Sequence, residues 1–321
     1  MTESMALLVY AATAGTAGAA ALRAARWPQR APRLGVAAWQ VLSGSILGAL
    51  LLAGVVVVVP AGIASTNLAE VLHACVMALR NQYATPGGAA VHATGAALTL
   101  TLAIRAGYLL GAGLRGARRA RGEHLKGLQL VARRDPLLDA LVVDHPAAAA
   151  YCLPGRARTI VLTSAAIAAL TDAELVAVLA HERAHLRGRH HLVAATAAAL
   201  TQALPFVPGL RWARVEQARL LEMIADDDAA LHGDRLSVAG ALVRLAGGAV
   251  PPVALGAADI AAIARVERLL SPGPRLGTGR RLLITAALSL TALAPVAIAA
   301  APAVAAAQMQ YCPITSTIPI V

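Results

Sequence analysis

Charge is what this chain lacks. Of its 321 residues only 14% are Asp, Glu, Lys or Arg, against roughly 25% in soluble domains. Aromatic residues make up 3%, with a single phenylalanine, and there are three cysteines. So little charge excludes an ordinary soluble domain, and so few cysteines exclude a scaffold built on disulfides. Hydrophobic residues fill the gap at 58%, and the mean hydropathy is +0.65.

The apolar residues are gathered into long uncharged runs. A helix that spans a bilayer needs about 20 of them. Residues 4–22, 34–59, 88–114 and 282–304 qualify, the third interrupted only by Arg105. The first run is not a signal peptide. Glu3 precedes it with no basic residue, whereas Arg23, Arg26, Arg30 and Arg33 follow it. That charge order describes a signal anchor with its N-terminus outside.

Basic residues favour the cytoplasmic side of a membrane, and every loop agrees with one topology. The first loop holds the four arginines just named. The second, residues 60–87, has only Glu70 and Arg80. Arg115, Arg118, Arg119, Arg121 and Lys126 follow the third run, and Arg275, Arg280 and Arg281 precede the fourth. The expectation is a multi-pass protein of the plasma membrane with both termini outside. It divides into a three-span region (1–114), a cytoplasmic domain (115–281), a fourth span (282–306) and a short outer tail (307–321).

The same pattern accounts for the net charge of +11 and the pI near 10.8. The basic residues sit beside spans, where they meet anionic lipid. No groove-reading motif accompanies them, so no nucleic-acid partner is expected. Cys75 and Cys312 both fall on the outer side, where a disulfide and two separate thiols fit equally well. Cys152 faces the cytoplasm and stays reduced.

Within 115–281, residues 122–134 read as a basic amphipathic helix. Residues 141–144, 149–153 and 159–163 are short strands, the last two forming a hairpin around the turn Pro154–Gly155–Arg156. Thr171 followed by Glu174 is a capping box that starts a helix at Asp172. Residues 192–210 are uncharged again, but Pro205 and Pro208 predict a bent segment lying against the bilayer rather than a crossing. The fold class is therefore a mainly α membrane protein of about four transmembrane helices. A small α+β domain is inserted between the third and fourth.

On the helix from Asp172, the residues 181–185 spell HExxH. His181 and His185 lie four apart on one face, the spacing that chelates one side of a zinc ion. Glu182 can reach a water in the open position and act as its base. Gly188 and His191 extend the pattern to HExxHxxGxxH, in which His191 would be the third ligand. If the helix continues, however, His191 is about 15 Å farther along the axis and about 1000° around it, too far to touch the same ion. Downstream, Glu222 and Asp226 form ExxxD on a probable helix. Glu222 would complete a His₂Glu site, and Asp226 would accept a hydrogen bond from a ligand imidazole. The plainer alternative is a solvated acidic face, above all for Asp227 and Asp228.

Residues 150–185, AYCLPGRARTIVLTSAAIAALTDAELVAVLAHERAH, resemble the BlaR/MecR-type integral-membrane zinc metallopeptidases. The LPG turn, the IVLT strand, the capped HExxH helix and the later ExxxD all match. The HtpX and CAAX-prenyl-protease family is a more distant likeness. The resemblance implies a gluzincin with one catalytic Zn²⁺ held by His181, His185 and Glu222, with Glu182 as base and Asp226 in support. It further implies a protein substrate such as a winged-helix transcriptional repressor. Residues 264–270, ARVERLL, resemble the arginine segment that follows the zinc site in such proteins. Arg265 there either holds the acidic helix, stabilises an oxyanion or, more simply, forms a surface salt bridge. Penicillin-sensing members carry a large sensor after the fourth span, where only about fifteen residues stand here. A quality-control protease of the HtpX kind and a non-enzymatic signalling protein are the alternatives, and an intact Glu182 argues against the second.

Overall fold

The computed structural model describes residues 2–58, 76, 77, 80, 87–155, 158–247, 257–271, 273, 274 and 276–310. Cys75, Cys312, Arg275, Arg156 of the hairpin turn, nearly all of the second loop and residues 311–321 lie outside them.

Among the described residues four helices are long and apolar enough to cross a membrane, which marks a membrane protein. The first, α1 (Thr2–Ala24), contains one π turn at Ala14–Gly18. The short α2 (Trp27–Arg30) leads into the second span, α3 (Pro32–Val58). The third, α4 (Gly88–Val131), is a single helix of 44 residues. The expected amphipathic helix at 122–134 is its far end, not a separate element. Nothing in the sequence before Val131 breaks the helix, and Arg133 and Arg134 belong instead to a strand. The last span, α11, runs Thr278–Gln310, and so begins before residue 282 and outlasts residue 306.

Between α4 and α11 the chain forms β1 (Ala132–Asp135), β2 (Ala140–Val143), β3 (Ala150–Leu153) and β4 (Thr159–Thr163). Helices α5 (Ser164–Ala169), α6 (Asp172–Arg187), α7 (His190–Ala203), α8 (Pro208–His232), α9 (Arg235–Gly247) and α10 (Ala257–Leu270) follow. The strand order is β1-β2-β4-β3. The expected hairpin is present as the antiparallel β3–β4 pair, and β4 also lies parallel to β2. The run Ile160–Val161–Leu162 is accordingly buried, as a central strand with both sides paired requires. The free edge beside the hairpin is β3. Strand β1, absent from the sequence-based expectation, is too charged to show an alternating apolar pattern.

The capping box forms as the sequence predicts. Thr171 Oγ1 accepts from the Glu174 backbone N–H, and the Glu174 carboxylate accepts from the Thr171 N–H at 2.8 Å. The same carboxylate accepts from Arg244 of α9 at 2.9 Å, so one buried glutamate starts α6 and fixes its neighbour.

The apolar run at 192–210 does not cross. It becomes α7, a turn, and the start of α8, so the chain folds back on itself. Arg105, the one charge in the apolar run 88–114, donates from Nη2 to the Gln202 carbonyl at 2.9 Å and from Nε to the Ala203 carbonyl at 3.3 Å. The guanidinium thus meets the unpaired carbonyls and negative dipole end of α7, which offsets the cost of a charge at that depth. Leu204, Leu210, Leu220 and Met223 then share a core with Leu7, Trp39 and Ile46 of the first two spans.

Close approach sets one residue in this seam. A Cβ at Gly209 would run into the Gly15 carbonyl oxygen and stand 2.6 Å from the Ala19 Cβ. We expect Gly209→Ala to destabilise the protein by about 1–3 kcal/mol, the cost of overpacking. Gly44→Ala, which meets nothing within 4 Å, should be neutral or slightly stabilising. Thermal unfolding in detergent compares the two. Equal midpoints would show that the seam is looser than it stands here.

Candidate metal centre

The site forms where α6 crosses α8. Residues 181 and 185 share a face of α6, and residues 222 and 226 share the facing side of α8. His181 Nε2 and His185 Nε2 are 3.1 Å apart, and each is 3.5 Å from a Glu222 carboxylate oxygen. Three donor atoms therefore converge on one point. A tetrahedral zinc with bonds of about 2.0–2.1 Å requires ligand atoms about 3.3 Å from one another, so the donor set fits that ion in kind and spacing.

Behind the ligand atoms lies a second layer. His181 Nδ1 donates to Asp226 Oδ1 at 3.1 Å, and Asp226 is 1% exposed. That carboxylate would be intolerable alone. Arg265 of α10 meets it with two bonds, Nε to Oδ2 at 2.8 Å and Nη2 to Oδ1 at 2.6 Å, while its Nη1 lies 3.0 Å from Glu222. The simple expectation of a surface salt bridge for Arg265 is overturned, since its side chain is only 14% exposed and holds both carboxylates. The other two aspartates are not a free solvated face either. Asp227 takes two bonds from Arg268, and Asp228 pairs with Arg187 and, at 3.8 Å, with Arg33.

Electrostatics follow from this packing. Burial resists a charge on His181, but its bonds to Asp226 and Glu222 outweigh that and carry its pKa to about 9. A cation at the convergence point would replace the proton between His181 Nε2 and Glu222. Burial works against ionisation of Asp226 and Glu222 as well. The Arg265 and His181 bonds nevertheless hold both carboxyls below their usual range. On Glu182 burial prevails and its carboxyl is pushed up. Cys152, on the facing edge strand, is pushed up to about 12 by burial and by the Glu182 carboxylate beside it.

His191 does not join the site. The helix ends rather than continuing, with Gly188 at its C-cap and Arg189 at φ 50°, and His191 then lies in the first turn of α7. Its neighbour was missed. His190 Nδ1 is 2.8 Å from His185 Nδ1. No sequence rule distinguishes residue 190 from 191 until the turn at 188–189 is known. The position of Cys152 next to Glu182 was hidden for a similar reason, because it depends on which face of β3 meets α6.

A cavity of about 220 Å³ opens beside the convergence point. His181, Glu182, Glu222 and Arg265 form its polar wall, and Val178, Val238, Ala241, Leu242 and Leu245 its apolar one. Ala150 of β3 lines the rim.

The sequence profile of peptidase family M48 matches residues 117–227. That stretch contains both histidines, Glu182, Glu222 and Asp226, and stops short of Arg265. M48 is a family of metallopeptidases, generally zinc-dependent, and the match supports a membrane metallopeptidase of the zincin type. Neither the curated proteins nor the solved structures gave a significant match to the chain.

Removing Arg265 leaves Asp226 buried with only the His181 Nδ1–H against it. We expect Arg265→Ala to cost about 3–5 kcal/mol and to weaken metal binding. Arg265→Lys should recover only part of both, because an ammonium cannot make the paired contact. Chemical denaturation and metal content of the purified protein read the two effects, and an unaffected Arg265→Ala would refute the role.

Proposed function

We propose that this chain is a membrane-embedded zinc endopeptidase that cleaves a cytoplasmic regulatory protein such as a winged-helix repressor. One observation carries the proposal: His181, His185 and Glu222 converge on a single point with Glu182 alongside, at the rim of a cavity large enough for a side chain. The distribution of arginines around the spans supports a cytoplasmic site with both termini outside.

Zinc held by these three residues would acidify a bound water toward a pKa of about 7 and polarise the scissile carbonyl. Glu182 takes the proton of the attacking water and returns it to the leaving amine. The burial that raises its carboxyl brings it nearer the range in which both transfers are easy. Asp226 keeps the His181 proton on Nδ1, so Nε2 presents its lone pair. The apolar wall formed by Val238, Ala241, Leu242 and Leu245 suits an apolar substrate side chain next to the scissile bond.

An extended substrate can add to the free edge of β3. Thr163 N–H bonds to the Ala149 carbonyl, and alternation then turns the Ala150 and Cys152 N–H groups away from β4. Proline at Val161 would be an unsuitable probe, since that residue pairs with both Leu141 and Tyr151. Ala150→Pro removes an outward donor and spares the sheet. KM should rise several-fold with metal retained, and unchanged kinetics would exclude strand addition.

A second function is favoured by the seam with the membrane. Leu220, two residues before Glu222, packs against Gly35 near the start of the second span, so the site lies close to that helix. That placement suits a quality-control protease acting on membrane proteins.

Glu182→Gln should retain zinc and lose cleavage by at least about 10²-fold, the scale of a general base. Glu222→Ala should lose the zinc itself. Comparing new N-termini in cells carrying wild type or Glu182→Gln then separates the roles. One repressor fragment supports signalling, many membrane-protein fragments support quality control, and no difference rejects the protease.

A further inference from the structure

Of the two imidazoles at the site, only His181 has a carboxylate behind it. His185 faces another histidine. His190 Nδ1 lies 2.8 Å from His185 Nδ1, the rings stand nearly perpendicular at 87°, and His190 is 7% exposed. We infer that His190 is a positioning residue for the metal centre, accepting the His185 Nδ1 proton so that His185 Nε2 is held toward the ion. The inference rests on the metal site proposed above.

The proton assignment follows from valence. A neutral imidazole that ligates through Nε2 carries its hydrogen on Nδ1. That N–H needs an acceptor, and His190 Nδ1 is the atom in reach. The His190 ring then carries its own proton on Nε2. Ligand histidines are generally oriented in this way by a carboxylate, carbonyl or water, and a neutral imidazole fills the place here.

Gly188 gives an independent mark of the same arrangement. A Cβ there would collide with His190 Nε2 and stand 2.6 Å from its Cδ2. The backbone does not require glycine, since Gly188 has φ −72° and ψ −6°, an ordinary right-handed conformation. The remaining near atom is the Ala184 carbonyl oxygen at 3.1 Å, a tight contact that a small shift relieves. Glycine at 188 is therefore fitted to the imidazole of His190. The HxxGxxH spacing that points to His191 in the sequence marks the neighbouring residue instead.

The test is metal affinity of the full-length protein in detergent, measured by competition with a chromogenic chelator, using Zn²⁺ and then Co²⁺ for its visible spectrum. His190→Ala should bind about 10- to 100-fold more weakly and alter the cobalt bands, as loss of an orienting partner does. His190→Asn, whose Oδ1 can accept in the place of Nδ1, should recover most of the affinity. Gly188→Ala should reproduce the loss in wild type and add little in the His190→Ala background. Wild-type affinity in His190→Ala, or a Gly188→Ala penalty equal in both backgrounds, would overturn the inference while leaving the metal site intact. A wild type that binds no metal would overturn both.

Discussion

Asp226 is a carboxylate with almost no exposure, and it persists there because the Arg265 guanidinium grips both of its oxygens from a third helix. Three things depend on that pair. It holds the His181 Nδ1 proton, it brings α10 against the crossing of α6 and α8, and it places a positive charge beside Glu222. Without the arginine the two acidic residues of α8 would repel each other across one turn and seek solvent, and the convergence of donor atoms would be lost. The convergence of donor atoms is thus built by three helices, although only two carry those atoms.

Much of this was legible in the sequence, because it follows from short-range rules. The capping box fixed the start of α6, helical spacing put His181 and His185 together, and ExxxD located the facing carboxylates. The runs of uncharged residues gave the four spans. What stayed hidden depends on contacts between elements. Arg265 looks like any arginine on an amphipathic helix until α10 is seen to close over the site. His190 and His191 are equivalent until the chain turns at Arg189, a left-handed residue that is not glycine. Strand β1 is masked by its own charge, and the amphipathic stretch from residue 122 reads as a separate helix because the composition changes there while the helix of the third span runs on to Val131.

The domain between α4 and α11 and the four long apolar helices are one packed unit rather than two bodies joined by linkers. Buried Gln217 of α8 pairs with Gln40 of the second span, Arg105 holds the end of α7, and Arg268 reaches the Gln29 carbonyl in the first connection. Each contact joins a polar group on a span, or next to one, to a helix of the site. The first fixes α8, the helix with Glu222, directly to the second span, and the other two tie α7 to the third span and α10 to the first connection.

Helix α4 enters this arrangement differently. Forty-four residues of uninterrupted helix make a rod about 66 Å long, so a tilt of about 5° about one end displaces the other by about 6 Å. Its far end runs directly into β1, and on the way His124 bonds to the Tyr151 hydroxyl of the edge strand at 2.8 Å. A displacement of that size exceeds the spacing between neighbouring strands. The sheet edge beside the convergence point is thus tied, through one unbroken helix, to the far end of the third span.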